Sequence, residues 1–170
     1  DDATDALEHR ASVTIGVPSE RLARDPRASM LELTHEFFHS WNLVAVRPAQ
    51  YNDLSHRPPR RTPLLWLGEG VTLYYAAVLP RRAHLAAPDP TRLEHLGALL
   101  ERYYGSPAIL GVAPEQASVA FGDSYATNTN ATGGYYLQGE LLGAVLDARL
   151  RAATHDRRGL DDLLRALFQR

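Results

Sequence analysis

The chain contains no cysteine, and it contains no lysine either, because all 18 of its basic side chains are arginine. Without cysteine there is no thiol nucleophile, cysteine-ligated zinc, iron–sulfur cluster or disulfide, and the redox compartment is left open. Without lysine there is no Schiff base, no phosphate-loop lysine and no lysine general base. Any metal must therefore be held by histidine and carboxylate. A surplus of one charge is missing too: 18 basic against 20 acidic residues gives a net charge of -2. That balance leaves no basic footprint for nucleic acid. No apolar run reaches the ~18–20 residues needed to cross a bilayer, and residues 1–30 lack a charged segment followed by an apolar core.

What is present is 170 residues, 45% of them hydrophobic, enough for one globular domain. The start at Asp1 rather than Met leads us to expect a domain cut from a longer chain, with its compartment, bacterial cytoplasm or periplasm, unknown. Alternation of Val13, Ile15 and Val17 predicts a strand over 9–17. Helical spacing of Met30, Leu33, Phe37, Phe38 and Trp41 predicts a helix over 28–46. Residues 50–63 read as a polar, proline-rich surface loop, and 64–78 as a second buried helix ending before Pro80. Asp89-Pro90 is suited to start an amphipathic helix through Tyr104 with Leu93, Leu96, Leu100 and Tyr103 on one stripe. Residues 105–134 are the least regular, with a short helix over 114–121. Helices over 135–151 (Leu141, Leu142, Val145, Leu146) and 160–168 complete a mainly α chain with a small β element.

The first long helix contains His35-Glu36-Phe37-Phe38-His39. Four-residue spacing stacks the two imidazoles on one face, where both reach a single ion, and Glu36 points about 100° away, placed to act as general base on a bound water. The bland alternative is two histidines on an ordinary amphipathic helix. A catalytic zinc site needs a third donor and an open fourth position. Glu69, in Trp66-Leu67-Gly68-Glu69-Gly70-Val71, is a carboxylate in an apolar run and so requires a neutralising partner. Zinc is one such partner; Arg57, Arg60 or Arg61 is another. The glycines flanking Glu69 each weaken a helix by about 1 kcal/mol, a cost we attribute to close approach by metal or substrate. His56, His84, His95 and His155 fall on polar or loop stretches and read as solvated.

HEFFHSWN, then RP at 47–48 and LLWLGEGVTLYY, resembles the glycyl aminopeptidase family of gluzincin metallopeptidases, distant relatives of alanyl aminopeptidase. Leu7-Glu8-His9-Arg10 is similar to that family's strand motif, Tyr135-Tyr136-Leu137-Gln138-Gly139 to its Tyr-Tyr-x-Lys-Gly segment, and GLDDLLRALFQR to its last catalytic-domain helix. The departures are Asp5 and Ala6 in place of glycines, Val71 for an aromatic, and Gln138 for the lysine. Tyr74-Tyr75-Ala76-Ala77 also stands where a carboxylate would accept from a metal-bound histidine, so a carbonyl or a distant residue must serve.

The resemblance implies a thermolysin-like gluzincin catalytic domain over residues 1–170, its helical half plus an edge strand. It implies one zinc ion on His35, His39 and Glu69, with Glu36 as base and Tyr136 donating to the oxyanion. Glu8 would gather the free α-amino group of a peptide, with His9 and Tyr135 as lesser substrate contacts. The activity implied is removal of N-terminal Gly or Ala. Tyr136 also reads as a core tyrosine, and Glu8 as a surface partner of Arg10. A silent peptide-binding scaffold and an endopeptidase stay open as alternatives. No nucleic acid or membrane partner is expected, and an exposed edge strand makes a homodimer an expectation.

Overall fold

A computed structural model describes residues 5–9, 12–25, 29–51, 62–85, 92–124 and 134–169. The single strand expected over 9–17 is instead a hairpin: β1 (Asp5–Glu8) pairs antiparallel with β2 (Val13–Gly16), placing Ala6 opposite Ile15 and Glu8 opposite Val13. Between the two strands the His9 N–H donates to the Ser12 carbonyl. The alternation at 13–16 survives in the half-buried Val13 and Ile15 and the exposed Thr14 and Gly16. The hairpin and α1 (Ser19–Arg24) precede α2 (Met30–Phe38), and the hairpin rests on α2.

α2 is shorter than the predicted 28–46. Beyond Phe38 the chain tightens into turns, and Leu43 adopts a left-handed φ of 93°. Trp41 keeps the apolar spacing because the turn folds it back against Phe37, with ring centroids 5.2 Å apart. The helix expected over 64–78 opens as a π turn, Trp66–Gly70, and continues as α3 (Val71–Arg82) through Pro80 rather than stopping before it. A proline removes one helical hydrogen bond, but α3 is buried on most sides, including Pro80 itself, and packing outweighs that loss.

α4 (Arg92–Tyr104) turns a different stripe inward: Leu99 is buried and Leu96 packs on the core, whereas Leu93 is 80% exposed and Leu100 45%. α5 (Pro107–Leu110) and α6 (Pro114–Ser124) occupy the irregular stretch, α7 (Gly134–Thr154) is the central helix, and α8 (Leu160–Phe168) ends the described chain. Val145, expected inside, is exposed. α7 buries small and polar residues as well as leucine, among them Gly139, Gly143, Ala144 and Asp147. The expected Asp89-Pro90 helix start, most of the 50–63 loop, and His56 lie outside the described residues.

The core gathers Phe38, Val71, Tyr74, Tyr75, Val78, Ala144 and Leu160, and the Phe38 and Tyr75 rings stack 4.3 Å apart. A second cluster of Leu65, Ala117 and Tyr135 joins α6 and α7 to the π turn. Backbone meets backbone where that turn crosses α7. A Cβ on Gly139 would lie 2.1 Å from the Trp66 carbonyl oxygen, and one on Gly70 would lie 2.4 Å from the Gly139 Cα. The close approach expected of metal or substrate is therefore, at Gly70, the approach of α7. At Gly68 it is the approach of the Leu43 side chain.

Candidate active site

α2 carries His35, Glu36 and His39, and the π turn carries Glu69 across from them. One extra residue in a helical turn changes the direction in which the side chains after it project, and such turns recur at functional sites. Here the turn aims Glu69 at the two histidines. The His35 and His39 Nε2 atoms are 3.0 Å apart, and Glu69 Oε2 lies 3.2 Å from the first and 3.3 Å from the second. His39 is 2% exposed, and the His35 and Glu69 side chains 12% and 15%. Burial alone would push the Glu69 carboxyl up, but its hydrogen bonds with His35 and His39 and the electrostatics of the two rings hold it down at about 2.

The donor set suits a metal. The His39 Nδ1–H donates 2.9 Å to the Asn42 carbonyl, which can only accept, so in the neutral ring the Nε2 lone pair faces the cluster. Three electron-rich atoms within 3.3 Å of one another need a cation or shared protons between them. Ligands about 2.0–2.2 Å from a tetrahedral zinc lie about 3.3–3.6 Å apart, slightly wider than this triangle. The carboxylate missing from the end of α3 is thus replaced, for His39, by a main-chain carbonyl. His35 Nδ1 is buried without a hydrogen-bond partner among the described residues.

Glu36 is buried beside His35 on α2. Tyr136 comes from the start of α7, its ring centroid 6.4 Å from that of His35. Burial, then the negative charge of Glu69, then the neighbouring Tyr135 raise its hydroxyl far above the ordinary tyrosine value, so it stays a neutral donor. Tyr135 is 1% exposed, set among Leu65, Ala117 and Phe121 and stacked on the Tyr136 ring at 4.5 Å. Tyr135, expected as a lesser substrate contact, thus packs in the core and backs Tyr136.

His9 directly follows β1, its Nε2 3.3 Å from Thr14 Oγ1, and is exposed. Glu8 pairs through its backbone with Val13, and its side chain lies outside what is described. Of the histidines expected to be solvated, His95 is not: its Nε2 sits 2.6 Å from the buried Glu140 Oε1. Gln138, at the family's lysine position, donates to the carbonyls of Ile109 and Val112 and ties the α5 loop to α7. Sequence reasoning gave no role to Asn42 or to the Gly70–Gly139 crossing. Both act through partners distant in the chain, so neither leaves a periodic signal.

No curated protein matches the chain. The crystal structure of an aminopeptidase N family protein from Idiomarina loihiensis is similar with a TM-score of 0.86 at 24% identity, covering 99% of this chain and 30% of that one. The chain thus spans less than a third of that protein, and the likeness is one of fold. The sequence model described as M61 glycyl aminopeptidase matches residues 29–142, the stretch that runs from the start of α2 through the π turn into α7. On that match, the chain belongs to the M61 glycyl aminopeptidase family.

Proposed function

We propose that this domain hydrolyses peptide bonds with one zinc ion and acts as an aminopeptidase on N-terminal Gly or Ala. The observation that carries the proposal is the triangle of His35 Nε2, His39 Nε2 and Glu69 Oε2, with edges of 3.0–3.3 Å. Membership of a peptidase family supports it. Bound there, zinc supplies polarisation of the scissile carbonyl and a more acidic water. Glu36 takes the proton of the attacking water and delivers it to the leaving amine. Tyr136, held neutral, donates to the oxygen on which negative charge develops. Glu8, at the end of β1, receives the substrate's free ammonium group and so limits cleavage to free N-termini. His9 is kept as a lesser substrate contact beside it.

Elemental analysis of the purified domain, against a Glu69→Ala variant loaded and dialysed identically, tests the metal. We expect about one equivalent of zinc, lost in the variant. The chemistry is tested by hydrolysis of a Gly or Ala peptide with a free amine against the same peptide blocked. Equal cleavage of both makes the protein an endopeptidase and removes the role of Glu8. Zinc retention without hydrolysis favours the second reading, a silent peptide-binding scaffold, for which the supporting observation is that His35 Nδ1 has no hydrogen-bond partner among the described residues.

A further inference from the structure

The loop after α2 carries polar contacts that the ligands alone do not explain. Asn42 is 2% exposed, and its side-chain amide lies 2.7 Å from the Leu67 carbonyl, 3.1 Å from the Gly68 carbonyl and 3.0 Å from Thr72 Oγ1. Its two N–H groups serve these three acceptors, while the Thr72 hydroxyl donates 2.6 Å to the Gly68 carbonyl. The main-chain carbonyl of the same Asn42 accepts from His39 Nδ1. Leu43, next in the chain, is held at a φ of 93°, where a non-glycine residue is strained, and its side chain fills the space beside Gly68. The strain is held in place by contacts to the segment that carries Glu69.

We infer that Asn42 is a positioning residue for the metal site. This rests on the zinc reading above and extends it. His39 and Glu69 are 30 positions apart and sit on separate turns, yet their donor atoms must be held to a fraction of an ångström. Asn42 has a polar atom on each side: its carbonyl orients His39, and its amide anchors the two residues that precede Glu69. It touches no reacting atom. Replacing the side chain leaves the carbonyl in place, so the effect of such a change falls on Glu69.

The test is zinc affinity, by chelator competition, of the parent, Asn42→Ala, Glu69→Ala and the double variant. The chelator is chosen weak enough to register binding by two histidines. We expect Asn42→Ala to weaken zinc binding about 10–100-fold. In the Glu69→Ala background the same change should cost less than about threefold, because the ligand it positions is gone. An equal loss in both backgrounds, or none in the parent background, overturns the inference. If Asn42→Ala does not fold, Thr72→Val keeps the volume and removes one acceptor of the amide. It should weaken zinc binding several-fold, and parent-like affinity counts against the inference. A parent that binds no zinc overturns both readings, whereas a zinc-binding parent matched by its variants overturns this one alone.

Discussion

At the scale of single residues, the site places a neutral hydroxyl and a buried carboxylate around three candidate ligands, and each group has a separable effect. Tyr136→Phe should lower kcat about 10²–10³-fold with little change in KM, since the lost hydrogen bond matters once charge has developed on oxygen. Steady-state kinetics on a Gly peptide decides it, and a change confined to KM would assign Tyr136 to ground-state binding. Glu36→Gln should retain one equivalent of zinc and lose about 10²–10⁴-fold in kcat, which elemental analysis and kinetics on one preparation check. The histidines and Glu69 were legible in the sequence because helical spacing and an acid within an apolar run are local facts. Asn42 was not, because its partners lie 25 to 30 positions away.

Among the elements, the π turn and α7 determine where Glu69 stands. Their contact is backbone on backbone at Gly70 and Gly139, so any added side chain must push them apart. Gly139→Ala should destabilise the fold by about 1–3 kcal/mol and weaken zinc binding with it. Gly97→Ala is the control. Among the described residues no atom beyond its chain neighbours and the local helix backbone lies within 4 Å of a Cβ at that position, and relief of glycine's cost within α4 should stabilise by up to about 1 kcal/mol. Urea unfolding of the two variants should move in opposite directions. The longer helices were legible from apolar spacing, and the 160–168 helix agrees to the residue, whereas the short α1 and α5 were not expected. The stripe on α4 and the end of α2 were not, because what a helix buries depends on which neighbour it meets.

Across the whole molecule, Asp147 holds four helices at one point. Its carboxylate accepts from the Leu160 N–H at the start of α8, from the Tyr74 hydroxyl of α3 and from Arg151 of α7, while Arg92 of α4 donates to that tyrosine. Burial opposes its ionisation, but the Leu160 N–H, Arg151 and Tyr74 outweigh it and hold the carboxyl below its ordinary 3.8. A lowered folded value means that the contribution is complete above pH 3.8 and fades as pH falls through the folded value. Stability measured in urea should therefore drop below about pH 4. In Asp147→Asn that acid slope should shrink, with stability at pH 7 lower by about 3 kcal/mol; an unchanged slope would remove Asp147 from this role. The sequence by itself determined the mainly helical class, the two histidines and the acid of the candidate metal set, and the family resemblance, since these rest on spacing within one element and on residue type. Only the tertiary structure decided the hairpin, the glycine crossing, the burial of Tyr135 and the Asn42 link, because each is a contact between segments whose separation along the chain carries no periodicity.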